Sequence, residues 1–348
     1  MTNISVTVNR KYSKSSSFYL NTKKDFFNDN EKLLKQSLSL NRLYTAQPER
    51  KLCKLCKSRL PDRVDFTSHG IDYVFCSDCS HLNGKFEDTK SFIEKLYIAD
   101  GGSEYASNYL DKDFAKRTTD IYIPKVDFLI SSMRDNQCDV LDVGCGAGYF
   151  VYGALLRNLR ATGLDVSKTM VDFGNVQISH LKNQSPLIYE SEKSFYDTIV
   201  NSRVNVISAI GVIEHLRDPH KFFEAFTKSR AQYLYYSVPM FSFSVILENI
   251  FTDVFPRQLS GGHTHLLTEK SYKRMNEIIR VKPIAEWRFG TDVMDLYRSV
   301  VTKLKRNQTS QAMIDYLHDG FGKKIDDIQS ILDRNHFCSE IHCVALKL

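Results

Sequence analysis

The chain has 348 residues, 42% of them hydrophobic, with 47 Lys and Arg against 41 Asp and Glu. That length accommodates one large α/β domain and a smaller module, while the absence of any apolar run of about 18 residues excludes a membrane-spanning helix. The formal charge of +6 is unevenly placed: residues 1–60 hold 13 Lys and Arg against 4 Asp and Glu, so the remainder is slightly acidic. A basic terminus of this kind either contacts a polyanion or is simply solvated.

In chain order, residues 1–50 form a basic N-terminal segment. Its first twenty residues, rich in Ser, Lys and Asn, are expected to be poorly ordered, and a helix is expected from Asp25 to Leu43. Residues 51–85 contain four cysteines and read as a small module. A helical, aromatic connector follows over 86–120, carrying Tyr105 and Tyr109. The large domain occupies 121–348, with insertions at 240–262 and 291–335.

Its strands are expected at Val140–Val143, Ala161–Asp165, Asn205–Ile210 and Tyr233–Val238, with a weakly marked one near Leu187–Glu190. The apolar run Phe241–Pro256 reads either as a substrate lid or as an amphipathic helix packed on the core. Thr268 and Ser271 offer capping oxygens for a helix beginning there. After Trp287, helices are expected at Val293–Lys305 and Gln311–Leu332, before a final alternating strand, Glu340–Leu346. The run Phe289–Asp292, with Asp295 and Arg298 at helical spacing, either lines a substrate mouth or forms a surface ion pair.

Residues 139–148 read Asp-Val-Leu-Asp-Val-Gly-Cys-Gly-Ala-Gly. A β-branched strand halts at Gly144, Gly146 and Gly148, and a helix-compatible stretch from Tyr149 to Leu159 follows. Strand, glycine turn and helix bring bare backbone N–H groups against a cofactor. The spacing is one residue shorter than the dinucleotide fingerprint, and Cys145 occupies a turn position that requires a small side chain. Asp142 stands two places before the first glycine, and Asp165 closes the next strand, where a carboxylate can accept hydrogen bonds from a ribose diol.

Cys53-x2-Cys56, nineteen residues, then Cys76-x2-Cys79 is the second signal. Two such hairpins can complete a tetrahedron of thiolates around zinc, and four protein ligands leave no open position, so the metal is expected to be structural. A disulfide or a redox pair is the other use of this spacing. No secretory signal precedes it, and a cytoplasmic, reducing compartment favours the metal.

The glycine turn with Asp142 and Asp165 resembles the S-adenosylmethionine site of class I methyltransferases. That resemblance implies a Rossmann-like, mostly parallel α/β sheet whose last strand is antiparallel, and a cofactor held by Asp142, Gly144, Cys145, Gly146, Gly148 and Asp165. It extends over roughly residues 120–290: Glu214-His215 after the fourth strand, and the loop Gly261-Gly262-His263-Thr264-His265, are similar to later family motifs. The resemblance makes Glu214, His215, His263, His265 and Tyr105 the candidate catalytic residues. Histidine suits a base that works near neutrality.

Neither the Asp-Pro-Pro-aromatic step of amino-methylating nucleic-acid enzymes nor a Pro-Cys nucleophile stands after the fourth strand. A double Cys-x-x-Cys module ahead of a class I core, with tyrosines between, is similar to bacterial sugar C-methyltransferases. The expected reaction is therefore O- or C-methylation of a sugar, as a nucleotide sugar or a surface-polysaccharide component, with a small-molecule or glycan substrate. An RNA-modifying enzyme gripping phosphates through the basic module remains the alternative, as does a binding protein without turnover.

Overall fold

The computed structural model describes residues 8–17, 25–97, 113–133, 138–182 and 185–348. Twelve strands occur among these: β1 (Asn9–Tyr12), β2 (Phe66–Ser68), β3 (Ile71–Phe75), β4 (Leu82–Gly84), β5 (Asp139–Val143) and β6 (Arg160–Asp165) in the first half. The second half supplies β7 (Leu187–Tyr189), β8 (Val206–Ile210), β9 (Tyr233–Pro239), β10 (His265–Leu266), β11 (Val281–Phe289) and β12 (Glu340–Lys347).

Eight strands form one sheet in the order β1-β11-β12-β9-β8-β5-β6-β7. β5 to β9 pair in parallel, and β12 runs antiparallel to both β9 and β11. Helices cover both faces, so the central strands are apolar without alternation: every residue of β9 is buried. The chain leaves β5 toward β6 and β7, then returns to the other side of β5 as β8. At this reversal a crevice opens beyond the carboxyl ends of the strands. The helix Tyr149–Leu156, entered from the glycine turn, is apolar all round and almost wholly buried.

A second, four-stranded sheet runs β10-β4-β3-β2. Its edge strand β10 comes from the loop after β9, so the cysteine-bearing module is completed by the large domain. The module's underside (Cys53, Leu55, Val74, Cys76 and Cys79) shares one apolar core with Ile213, Phe223, Leu267 and Met275.

Several elements differ from the expectations. Within the segment expected to be poorly ordered, Asn9–Tyr12 adds an edge strand parallel to β11. The helix expected over Asp25–Leu43 is two helices, Asp25–Asn28 and Asn30–Thr45. The stretch Gln311–Leu332 is likewise split into Gln311–Gly320 and Ile325–Arg334, where glycines at 320 and 322 loosen the helix. The insertion after β9 folds as the helix Phe243–Ile250, with Val245 and Leu247 buried against the core. No described helix is long and apolar enough to cross a membrane.

Candidate active site

A cavity of about 580 Å³ lies at the crevice between β5 and β8. Its floor is the glycine turn. Gly144, Gly146 and Gly148 all have positive φ, at 68°, 54° and 76°, which L side chains avoid. The turn is tied to the tip of β6: Gly144 N donates to Leu164 O at 2.7 Å, and Gly146 N to Asp165 Oδ2 at 2.7 Å. Asp165 Oδ1 also accepts from Ser167 N at 2.8 Å. Burial pushes the Asp165 carboxyl up and carries that of Asp142 to about 7, and Ser208 Oγ donates to Asp142 at 2.6 Å. Cys145 lines the cavity, and its sulfur lies 2.6 Å from where a Cβ on Gly163 would sit, so it packs the turn onto β6. Gly148 does not reach the cavity; a Cβ there would meet Leu187 at 2.6 Å.

The other side of the cavity is built by the loops that follow β8 and β9. Glu214 and His215 sit in a tight turn, Ile213–His215, after β8. Glu214 is buried, its Oε2 has no hydrogen-bond partner, and burial pushes its carboxyl up to about 8. His215 Nδ1 lies 3.2 Å from Gly262 O. A carbonyl only accepts, so Nδ1 carries the ring proton and Nε2 the lone pair. The His263 ring centroid is 4.9 Å away, and both rings line the cavity. Burial, with His263 beside it, pushes His215 down to about 3, so the ring is neutral at ordinary pH.

His265 is not at the cavity: it lies in β10, with Nδ1 engaged by His81 at 2.9 Å and Nε2 by Glu214 O at 3.0 Å. Both of its nitrogens are engaged within the protein. Tyr105 lies outside the described residues, as does Tyr109. The run after β11 divides. Phe289, Gly290 and Thr291 line the cavity, but Asp292, Asp295 and Arg298 are buried behind it, where Asp292 accepts from Ser242 and Ser244 and Asp295 pairs with Arg257. They form neither a mouth nor a surface pair.

Residues missed in the sequence also face the cavity. Lys125, on the helix Ile123–Ser132, is buried, and burial pushes its ammonium down to about 8 despite the nearby Glu340. Glu340 reaches the cavity because β12 runs backward, so its first residue stands beside the last of β9, Pro239. That reversed strand was the available signal. Arg257 and Gln258 come from the insertion, where Glu248 accepts from the N–H groups of 257, 258 and 259.

The four thiols of Cys53, Cys56, Cys76 and Cys79 lie within 4.8 Å of one another. Sulfur separations of 3.7 Å (Cys53–Cys79) and 3.5 Å (Cys56–Cys76) suit the edges of a tetrahedron around a metal at about 2.3 Å from each sulfur.

Residues 110–278 match the family model described as a methyltransferase domain. No curated protein matches the chain in sequence. Among solved structures, the chain is similar to magnesium protoporphyrin IX methyltransferase from Synechocystis PCC 6803, at 11% identity over 75% of this chain and 100% of that one, TM-score 0.48. It is also similar to geranyl diphosphate C-methyltransferase from Streptomyces coelicolor A3(2), at 14% identity over 68% and 86%, TM-score 0.39. A methyltransferase from Archaeoglobus fulgidus shows 17% identity over 68% and 100%, TM-score 0.41. Likenesses this distant add no argument to the family match. The matched stretch holds the glycine turn, both strand-end carboxylates and the Glu214–His215 turn. The chain is an S-adenosylmethionine-dependent methyltransferase with a class I α/β sheet and an N-terminal four-cysteine cluster.

Proposed function

We propose that this enzyme methylates a sugar, at oxygen or carbon, as a nucleotide sugar or a component of a surface polysaccharide. The observation that carries the reading is the group facing the glycine turn across one cavity: neutral His215 and His263 beside a buried Glu214. A hydroxyl or an activated carbon must lose a proton as it accepts a methyl group, and a neutral imidazole lining the cavity can take it. Gln258, Thr291 and Ser339 add uncharged hydrogen-bonding groups suited to a polyhydroxylated acceptor.

The cavity fits the cofactor. Backbone N–H groups and glycines form the cradle, Asp165 can accept from a ribose diol, and Asp142 and Lys125 offer opposite charges to a zwitterionic amino acid tail. The bound cofactor supplies an electrophilic methyl group. The chain aligns the acceptor with that group, which can contribute ~7–11 kcal/mol, excludes water and removes the acceptor proton through His215 or His263. The four cysteines hold a structural zinc, leaving no position for substrate.

The RNA reading finds less support. Basic residues of the N-terminal part are engaged within the protein: Arg10 with Glu286, Lys11 over the Trp287 ring, and Arg50 and Lys54 with Asp88. The test is to incubate the enzyme with methyl-labelled S-adenosylmethionine and a panel of nucleotide sugars, with RNA in parallel, following the label by mass spectrometry. A labelled sugar is expected. Labelled RNA with every sugar unlabelled, from a protein that binds the cofactor, would overturn the reading.

A further inference from the structure

The loops that carry Glu214, His215 and His263 are anchored to the cysteine-bearing module at several points. Gly84 N donates to Thr264 O at 2.7 Å, and Thr264 Oγ1 donates to Asp88 at 2.9 Å. Asp88 is shared by Lys54 at 2.7 Å and Arg50 at 2.9 Å, all three buried. His220 Nε2 meets Leu55 O at 2.7 Å. Two imidazoles complete the attachment. His81 follows the last cysteine, and its Nε2 is 2.9 Å from His265 Nδ1; His265 Nε2 is 3.0 Å from the Glu214 carbonyl oxygen. The rings are only 1% and 4% exposed.

This chain of bonds has one possible direction. The Glu214 carbonyl can only accept, so His265 Nε2 carries a proton. In a neutral ring its Nδ1 is then bare and accepts, so His81 Nε2 must donate. Reversing either ring would set two lone pairs or two N–H groups face to face inside the protein.

We infer that His81 and His265 are positioning residues: a directional relay from the cysteine module that fixes the Glu214 carbonyl and, through it, the turn aiming Glu214 and His215 at the acceptor. The inference rests on the acceptor-side reading of those two residues, although the relay itself can be observed without a substrate. A packing role for the two rings would impose no tautomer and would be served by any apolar side chain of similar size.

Nuclear magnetic resonance of the protein labelled with ¹⁵N and ¹³C at histidine, at neutral pH with S-adenosylhomocysteine present, reads the relay directly. Both rings are expected as Nε2–H tautomers, with a scalar coupling between His81 Nε2 and His265 Nδ1 across the hydrogen bond. An Nδ1–H tautomer at either ring overturns the inference. His265→Leu is expected to displace or broaden the His215 ring signal, while His265→Gln, whose amide can still donate to Glu214 O, restores it. An unmoved His215 signal in the leucine variant, or a lost one in the glutamine variant, also overturns it. Should the leucine variant not fold, the tautomers and the glutamine variant decide. Calorimetry of S-adenosylhomocysteine on the unaltered protein separates the two readings: absent binding fails the cofactor site, whereas the tautomers still decide the relay.

Discussion

An alanine at position 144 would hold a left-handed backbone and place its Cβ 2.6 Å from Val212 Cγ2. The strain costs ~1–2 kcal/mol, and the collision pushes back the segment that leads to Glu214. Gly144→Ala is therefore expected to fold yet bind cofactor about tenfold more weakly, ~1.4 kcal/mol, by calorimetry; an unchanged dissociation constant would contradict it. Asp165→Ala removes the acceptor of two backbone N–H groups together with the ribose contact proposed above. At ~1.5–3 kcal/mol for a hydrogen bond to a charged group, cofactor affinity should fall at least tenfold. Glu214 sets a pH dependence. Its carboxyl titrates near 8 when folded and near its ordinary 4.5 when unfolded, so between these values the folded state binds more protons and stability falls as pH rises. Denaturation from pH 5 to 8 should show that decline, and Glu214→Gln should make it shallower, the remainder belonging to Asp142, Glu248 and Asp333, whose carboxyls burial likewise raises to about 7; an equal decline in both proteins would assign it wholly to those groups. At this scale the glycines and cysteines were legible because their chemistry is local. The place of His265 away from the cavity was not legible, because the group that engages it, His81, lies 184 residues away, a distance no motif spans.

Individual elements show the same division between local and distant causes. Thr268 starts its helix as expected: its Oγ1 accepts from Ser271 N at 3.2 Å, and Ser271 Oγ accepts from Thr268 N at 2.7 Å. Thr268→Ala should cost about 1 kcal/mol in chemical denaturation, and a loss near zero would mean that packing alone sets the helix start. β11 escaped notice because Pro283 interrupts an otherwise strand-like run; the sheet tolerates it at a register shift between Pro283 and Ala285. β1 carries no apolar alternation at all. Its sequence, Asn-Arg-Lys-Tyr, makes a strand because β11 presents an unpaired edge, and its basic side chains then discourage further strands from joining. The helices around residue 321 separate because Gly322 fits beneath His318, where a Cβ would come within 2.7 Å of Nδ1.

At the scale of the whole molecule, the cysteine module and the α/β domain are joined through a continuous apolar core and a shared strand. Removal of the proposed zinc should therefore not melt a separate unit. A chelator is expected to lower the melting temperature of the entire protein in one transition and to weaken cofactor binding with it. Two transitions in scanning calorimetry, the upper one unmoved, would show that the module folds alone. Metal analysis of the purified enzyme should give one zinc per chain, and its absence from a folded enzyme would refute the metal assignment.

The shared strand also orders events during synthesis. β4 waits for β10, which the ribosome delivers only after β5 to β9 have been made. Until Leu266 emerges, the nascent small sheet keeps an open edge able to pair with strands of neighbouring chains. Long-range closures of this kind are slow, so the interval before β10 arrives is when the nascent chain is most exposed to misassembly and most in need of a chaperone.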